Sequence, residues 1–337
     1  MVSHKPHPDG RFTGNVRSFL KAVGAALVIV LAGPVHAQDY PDGKTIKLVV
    51  PWPAGGATDA AGRILAEHLG KRLNTTVIVE NRGGANGRIG AQYVASARPD
   101  GYTLLVASAE THAINPYVFS KLPYDPLKDF VAVAPFAINP FTVAARPGLP
   151  ANSVKEMIAL AKASPGKLTF ASWGIGSTAQ IAMEMLKSQY EFEMLHVPFV
   201  GAAPATAALL AGQVDLMILP AANANALRQK IKVYAMTTKD RFFLMPDIPS
   251  LQELGFEGID IANWFGVVAP ANTPDTIVRR LAAEVVAIVR APDAQAQFKA
   301  LGVDVYPPMS QPDFQRFVQS EGLRWGNVIR KANITLE

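Results

Sequence analysis

Short apolar runs alternate with longer segments of helical periodicity through most of the chain. The apolar runs predict β-strands at residues 46–50, 77–79, 103–107, 167–171, 195–198 and 214–219. Between them, apolar residues spaced three and four apart predict helices at residues 60–73, 178–188 and 204–210. The strands lack alternating polar residues, so we expect an α/β fold with helices covering both faces of parallel sheets.

The last third of the chain is predicted to be mostly helical. Thr273 is placed to cap a helix that has Pro274 in its first turn and ends near residue 289. A shorter helix is predicted over residues 292–302. The final helix carries an apolar stripe that we interpret as core packing and not as a cofactor site: Phe314, Phe317, Val318, Trp325, Val328 and Ile329.

Residues 1–37 have the pattern of a Sec-type export signal. Arg11, Arg17 and Lys21 precede or border an apolar segment at residues 22–32, and small residues precede a predicted cleavage after Ala37. The uncharged run contains Pro34 and is short for a membrane-spanning helix, which needs about 20 residues. We therefore predict a protein exported to the periplasm. An uncleaved membrane anchor is the alternative.

Composition narrows the classes of function. A hydrophobic content of 49% with 18% charged residues, in a chain of 337 residues, indicates a folded protein long enough for about two domains. The absence of cysteine excludes disulfides, zinc–thiolate sites, iron–sulfur clusters and thiol catalysis. Cleavage after Ala37 would lower the net charge from +5 to +2 over the remaining 300 residues, which leaves little basis for nucleic-acid binding. The three histidines left, at positions 68, 112 and 196, are too widely spaced to suggest a metal site.

Two strand–loop–helix segments echo each other and contain candidate anion-binding loops. Identical residues recur 120 positions apart, namely Lys47 and Lys167, Gly56 and Gly176, and Thr58 and Thr178. The echo suggests two α/β domains, each with a helix amino terminus at the carboxyl end of its first strand, where open α/β sheets bind ligands. An anion could approach free backbone amides at Gly55 and Gly56 and at Gly174 and Gly176, and the hydroxyls of Thr58, Ser177 and Thr178 would add donors. Tight turns that bind nothing are the alternative for either loop.

Three titratable residues near these segments have a structural and a functional interpretation. Asp59 fits an acid that stabilises the first turn of its helix, or a cleft residue that accepts from a ligand amine. Asp215, beside a predicted strand, fits a cap and a cleft residue equally well. His112 follows a strand and fits a hydrogen-bonding loop residue better than a general base.

The common catalytic motifs are missing from the sequence. It contains no G-x-S-x-G elbow, no Walker G-x-x-x-x-G-K-[ST] and no H-E-x-x-H. Residues 174–179 match G-x-G-x-x-A, but the acid that a dinucleotide site requires at the end of the next strand is absent. We therefore discount a dinucleotide and predict no cofactor.

A series of motifs in fixed order resembles one family. They are YP at residues 40–41, VVPWPAGGATD at 49–59, VENRGGANG at 79–87, PDGYTL at 99–104, THAINP at 111–116, LPYDP at 122–126, HVPF at 196–199, GAAPA at 201–205, GQVDLM at 212–217 and WFG at 264–266. Through essentially the whole chain after the leader, the sequence resembles the substrate-binding proteins of tripartite tricarboxylate transporters, also called the Bug (Bordetella uptake gene) family.

The resemblance implies a type II-like, two-lobed periplasmic binding protein made of two open α/β sheets joined by two crossover strands. The crossovers are expected near residues 138–141 and 261–264. Residues 38–140 and 263–337 would form the first lobe, and residues 141–262 the second. Such a receptor closes on a small organic acid without catalysis and delivers it to the membrane subunits of a transporter or to a sensor kinase.

The resemblance also implies where the ligand binds. A carboxylate would lie between residues 52–59 and 172–178, often through ordered water, with side walls from residues 108–112 and 199–202. With Asp215 included, the predicted ligand-binding residues are Trp52, Ala54, Gly55, Gly56, Ala57, Thr58, Asp59, Ser108, Thr111, His112, Ser172, Gly174, Gly176, Ser177, Thr178, Phe199, Gly201, Ala202 and Asp215.

Two departures from the family pattern bear on the ligand. Phe199 and Val200 stand where the family often has tyrosine and lysine, and Trp52 stands where it commonly has phenylalanine. The first change removes a hydroxyl and a charge from the cleft edge, and the second adds bulk. We therefore expect the ligand to be a mono- or dicarboxylate with an apolar or aromatic body, or an amino acid. We expect the protein to be a monomer.

Two other functions remain open from the sequence alone. One is an exported hydrolase or lyase that uses His112 with Asp59 or Asp215. The other is an interaction module without a small-molecule ligand.

Overall fold

The computed structural model describes residues 1–6, 40–331 and 334. Most of the predicted leader, residues 1–37, therefore lies outside the described residues. Met1–Asp42 forms one unit, and the elements below belong to the second unit, Gly43–Glu337. In the described part of the chain, no helix combines the length and the apolar character needed to cross a membrane.

The first group of parallel strands is built from buried aliphatic side chains. β1 (Ile46–Val50) lies between β2 (Val77–Asn81) and β3 (Thr103–Ser108) and is parallel to both. α1 (Ala57–Leu73) follows β1, and α2 (Arg88–Ala95) follows β2. The residues after β3 form a π-helical turn (Glu110–Ile114) that continues into α3 (Asn115–Val118). The apolar run at residues 46–50 predicted β1 with its observed bounds, whereas α2 and the π-helical turn were not predicted from the sequence.

The second group of parallel strands repeats this plan. β5 (Thr169–Ser172) lies between β6 (Leu195–Pro198) and β7 (Leu216–Pro220) and is parallel to both. α5 (Thr178–Tyr190) follows β5, and α6 (Ala202–Leu210) follows β6. The remaining elements of this half are α4 (Val154–Ala163), α7 (Ala221–Leu227) and β8 (Lys232–Met236).

Two long antiparallel strands connect the groups. β4 (Phe130–Ala145) pairs with β9 (Ala262–Pro270) as far as Pro140, and from Phe141 onward it pairs with β7 and β8. The strand order along the main path is β2-β1-β3-β9-β4-β7-β5-β6. The expectation of parallel sheets is therefore wrong for the centre of the molecule, because the connecting strands pair antiparallel with their neighbours.

The C-terminal elements pack back on the first group. α8 (Asp275–Arg290) contacts β4 and α1, and α9 (Pro292–Ala300) is followed by β10 (Asp304–Val305), which pairs with β4. α10 (Gln311–Lys331) contacts the π-helical turn, β4 and α5. Its apolar stripe is confirmed as core: Phe314, Val318, Trp325 and Ile329 are buried. Thr273 does not cap α8, because its hydroxyl donates to the Pro270 carbonyl at 2.7 Å and the helix begins two residues later.

Candidate ligand-binding site

The first loop (residues 52–59) ends in a helix start without a side-chain cap. Gly56 is the N-cap residue of α1 with an extended backbone, and the first helical hydrogen bond runs from Ala60 N–H to its carbonyl at 3.0 Å. The N–H groups of Ala57, Thr58 and Asp59 have no acceptor among the described residues. Residues 53–57 are exposed. Because a helix amino terminus carries partial positive charge, this end of α1 suits an anion.

Asp59 fixes the shape of the first loop. Its Oδ2 accepts from Gly55 N–H at 2.9 Å and from Arg63 Nε at 3.1 Å, and its Oδ1 accepts from Asn81 Nδ2 at 2.9 Å. Burial raises the pKa of Asp59, but the hydrogen bonds from Arg63, Gly55 and Asn81 outweigh that effect, so the pKa lies below 3.8. Asn81 also donates to the Trp52 carbonyl at 3.1 Å. These contacts match the structural interpretation of Asp59. One of them occupies the N–H of Gly55, which was predicted to be free for a ligand.

Three backbone N–H groups of the second loop (residues 172–178) are already paired. Gly174 N–H donates to Ser172 Oγ at 3.2 Å, and Gly176 N–H donates to Gln180 Oε1 at 2.7 Å. Ser177 N–H donates to the Gly174 carbonyl at 3.2 Å, and Ser177 Oγ caps α5 by accepting from Gln180 N–H at 3.4 Å. The prediction that these glycines offer free amides is wrong. The side chain of Gln180 reaches back to Gly176, four positions earlier in the chain. No sequence motif predicted this contact.

The hydroxyl of Ser172 has a structural partner. Ser172 Oγ lies 2.7 Å from His196 Nε2, and the imidazole stacks on Phe170 with ring centroids 4.8 Å apart. Burial, and then the charge of Lys187, lower the pKa of His196 to about 4. The ring is therefore neutral at physiological pH, and the pair stabilises the end of β5.

Asn86 connects the two halves of the molecule next to the loops. Its Nδ2 donates to the Gly176 carbonyl at 3.0 Å and to Asn115 Oδ1 at 2.8 Å. Its neighbour Gly87 packs against Pro51, since a Cβ built on that glycine would lie 3.5 Å from the Pro51 Cβ. The hydrogen bond from Asn86 therefore joins the second loop to residues 86–87, of which Gly87 packs against Pro51, directly before the first loop. This asparagine belongs to the motif at residues 79–87, and the sequence predicted no role for it.

A buried glutamate joins the two halves a second time. Glu110 Oε2 accepts from Ser108 Oγ and from Asn263 Nδ2, both at 2.8 Å, and its Oε1 accepts from the Thr178 hydroxyl. Ala109 N–H donates to Asn263 Oδ1 at 3.2 Å, which fixes the orientation of that amide. The predicted residues Ser108 and Thr178 are thus brought together, but by Glu110, which was not among the predicted site residues.

Thr111 and His112 are turned into the first half. Ser108 N–H donates to Thr111 Oγ1 at 3.0 Å, and Thr111 Oγ1 lies 2.9 Å from His112 Nδ1. Burial lowers the pKa of His112 to about 3. His112 lines a cavity of about 780 Å³ beside α10, together with Tyr117 and Leu323.

The two aspartates that the sequence analysis paired with His112 have other partners. Asp215 Oδ1 accepts from Arg146 Nε at 2.8 Å, and its Oδ2 accepts from Thr169 N–H at 2.8 Å. Thr169 begins β5, so Asp215 lies at the amino end of that strand, whereas the second loop follows the carboxyl end. Its assignment to the cleft is therefore corrected. In the described part of the chain, neither Asp59 nor Asp215 is a hydrogen-bond partner of His112.

The segment at residues 199–202 borders the second loop with apolar groups. Phe199 N–H donates to the Ser172 carbonyl at 2.9 Å, and Gly201, with φ of 107°, precedes Ala202 at the start of α6. The side chain of Val200 is fully exposed, and Ile175 is 41% exposed. No group of three His, Cys, Asp or Glu side chains is placed to hold a metal within the described ranges.

Solved structures place this fold in a known class. The Rpa4515 protein of R. palustris with adipate has a TM-score of 0.81 and 32% identity, covering 88% of this chain and 100% of that one. The periplasmic binding protein BugD has a TM-score of 0.77 and 33% identity, covering 87% and 99%. MatC of Rhodopseudomonas palustris with bound malate has a TM-score of 0.76 and 33% identity, covering 85% and 98%. The fold is that of a two-lobed α/β periplasmic binding protein, as predicted.

Sequence relatives narrow the class to a family. The chain is 32% identical over 319 residues to a UPF0065 protein of Bordetella pertussis, covering 94% of this chain and 98% of the relative. It is 31% identical over 328 residues to BugT of the same organism, covering 96% and 100%. The model of the tripartite tricarboxylate transporter family receptor, TctC, matches residues 61–334. The chain belongs to this family of periplasmic solute receptors, which confirms the resemblance.

Proposed function

We propose that this chain is an exported receptor that captures a small organic carboxylate between its two lobes. It delivers the ligand to the membrane subunits of a tripartite tricarboxylate transporter or to a sensor kinase. Membership of the receptor family supports the role. The similar structures with adipate and with malate support a carboxylate as the ligand. The predicted leader at residues 1–37 supports the periplasm as the location.

The observation that carries the proposal is the uncapped start of α1. Three consecutive amides, those of Ala57, Thr58 and Asp59, lack an acceptor among the described residues, and the loop before them is exposed. Oriented amides at a helix amino terminus bind a carboxylate by hydrogen bonds and by the local positive potential. Asp59 holds Gly55 in place, so the loop is shaped before the ligand arrives.

The body of the ligand is expected to be apolar. Ile175, Phe199 and Val200 lie on the two loops that follow β5 and β6, at the carboxyl edge of the second group of strands. Ile175 and Val200 expose apolar surface there. An aliphatic or aromatic acid would cover that surface and gain the associated hydrophobic free energy.

The proposal predicts ligand-dependent stabilisation of the folded protein. A panel of aliphatic acids, hydroxy acids, aromatic acids and amino acids should contain at least one member that raises the melting temperature in a saturable way. At a hundredfold excess over Kd, the stabilisation is about 2.7 kcal/mol. If no member of a broad panel moves the melting curve, the receptor proposal is wrong for this protein.

A glycine substitution locates the site. Gly56→Val should raise the Kd by about tenfold or more, because the new side chain would cover the free amides. The fold should tolerate it, since a Cβ at Gly56 meets only the Pro53 carbonyl at 3.9 Å. Gly322→Val is the matched control, because a Cβ there has equal room, 3.9 Å from Tyr117 Oη, and lies on α10. Equal Kd values for the two variants would contradict the assignment of α1.

A further inference from the structure

Glu110 lies beside the amino terminus of α5. Its Oε1 accepts from the hydroxyl of Thr178, the first residue of that helix. The N–H groups of Thr178 and Ala179 have no acceptor among the residues that the structure describes. A carboxylate beside them interacts favourably with the helix amino terminus. The protein itself therefore supplies an anion at the second of the two predicted binding loops.

The hydrogen bonds around Glu110 fit a charged carboxylate. Asn263 must donate through Nδ2, because its Oδ1 accepts from Ala109 N–H at 3.2 Å. The hydroxyls of Ser108 and Thr178 each have a proton to donate as well. Three donors on two carboxylate oxygens are the arrangement that an ionised side chain accepts without conflict.

The charge of Glu110 is not cancelled by a neighbouring cation. Glu110 is 1% exposed, and no Lys, Arg or His in the described ranges forms an ion pair with it. Its partners are neutral side chains from β3, α5 and β9. A second negative charge brought to the same junction would be repelled at low dielectric with no cation to offset it.

We propose that Glu110 determines the charge of the ligand. The negative charge of Glu110 lies beside the start of α5 and repels a second ligand carboxylate there, so the receptor selects monocarboxylates over dicarboxylates of the same carbon skeleton. The single carboxylate of the ligand binds the free amides of α1. This inference rests on the proposed function and assigns its substrate class.

The test compares matched acids by isothermal titration calorimetry on the full chain without its leader. The pairs are butyrate and succinate, hexanoate and adipate, and 4-methylbenzoate and terephthalate. For at least one pair, the wild type should bind the monocarboxylate about tenfold more tightly than the dicarboxylate, or better, which corresponds to about 1.4 kcal/mol.

Neutralising the side chain should reduce this preference. Glu110→Gln can keep its carbonyl oxygen toward Ser108 and Asn263 and can donate to the Thr178 hydroxyl, so the fold should survive. The ratio of the two Kd values should fall by about tenfold in this variant. Glu321→Gln is the control, a buried glutamate on α10 that accepts from Trp325 Nε1, and it should leave the ratio unchanged.

The outcomes separate this inference from the proposed function. Wild-type protein that binds the dicarboxylates as tightly as the monocarboxylates, or more tightly, overturns the role of Glu110 while the receptor proposal stands. An unchanged ratio in Glu110→Gln does the same. A wild-type ratio without this preference overturns the role of Glu110 even where the variant fails to fold. If no acid of any kind binds, both conclusions fall.

Discussion

At the residue scale, two side chains close the two loops in the same way. Asp59 accepts from the N–H of Gly55, and Gln180 accepts from the N–H of Gly176, in each case four positions back along the chain. An amide that is already paired offers little to a ligand, since exchanging partners gains only a small net free energy. What is left for a ligand is the start of α1, because the start of α5 faces Glu110.

Removing the charge of Asp59 should destabilise the protein. In Asp59→Asn, the new amide group would face donors from Arg63 or Asn81, so we expect a loss of about 1–3 kcal/mol in the free energy of unfolding. The folded-state pKa of Asp59 lies below 3.8, so the carboxylate contributes its full stabilisation above pH 3.8. The contribution is lost as the pH falls through the folded-state pKa. Urea unfolding across this range, for wild type and variant, measures the difference.

Asp275 provides the matched control for that experiment. Asp275 and Arg279 have the same spacing in the first turn of α8 as Asp59 and Arg63 have in α1. The Asp275 side chain is 87% exposed, however, and such pairs contribute little. Asp275→Asn should therefore leave stability nearly unchanged. A similar loss of unfolding free energy in both variants would mean that the burial and the extra hydrogen bonds of Asp59 do not contribute to stability.

At the element scale, the starts of α1 and α5 differ in how tightly they are packed, although their sequences echo each other. Gly56 is extended, with φ of −84°, and has open space around it. Gly176 has a φ of 75°, and a Cβ there would lie 2.9 Å from a methyl group of Val118 in the other half. The fold should therefore tolerate a larger residue at Gly56 but not at Gly176.

Gly176→Ala should be clearly destabilising. The left-handed backbone costs an L-residue about 1–2 kcal/mol, and the contact with Val118 adds to that. Chemical denaturation should show the loss, whereas Gly56→Ala should stay close to wild type. Adding Val118→Ala to the Gly176 variant should relieve the contact but not the backbone strain. Restoration of full stability in that double variant, after correction for Val118→Ala alone, would argue against the backbone term.

At the scale of the whole molecule, Thr237 ties the two crossover segments together. Its N–H donates to the Phe141 carbonyl at 2.9 Å, and its hydroxyl donates to the Ile261 carbonyl at 2.7 Å. Phe141 is where β4 changes partners, and Ile261 immediately precedes β9. Both positions fall within the predicted crossovers, while the lobe boundaries at residues 140 and 262 stay a prediction. A hinge motion of the lobes about these strands would act on the hydrogen bonds of Thr237, the joint between the crossovers.

Loss of the Thr237 hydroxyl should affect binding as well as stability. Thr237→Val keeps the shape but leaves the buried Ile261 carbonyl without this donor, at a cost of about 1–2 kcal/mol. Thr142→Val removes an equally buried hydroxyl that donates to the Leu219 carbonyl at 3.0 Å within the second group of strands. Both variants should lose stability in urea. Only Thr237→Val should change the Kd of an identified ligand severalfold, and equal effects on binding would remove the special role of the joint.

The secondary structure was predictable where local patterns decide it and not where pairing across the sheet does. Residues 46–50 and 195–198 are strands with the predicted bounds, because apolar runs with defined ends favour strands. The longest strand, β4, contains Pro135 and Pro140, which are typical of breaks. It persists because irregular register near Pro135 and antiparallel partners on both sides accommodate the prolines. Such partners lie too far away in sequence for a local pattern to reveal.

The amino-acid sequence by itself determined the alternation of strands and helices, the two glycine loops before helix starts, and the family, because each depends on local order along the chain. Only the tertiary structure decided which amides of those loops are free, since Gln180 closes one loop and Asp59 part of the other. It also placed Asp215 at the amino end of β5, opposite the end from which the second loop follows, and brought Glu110 to the start of α5. Hydrogen bonds between distant segments depend on how the two halves meet, and that geometry arises only when the chain packs.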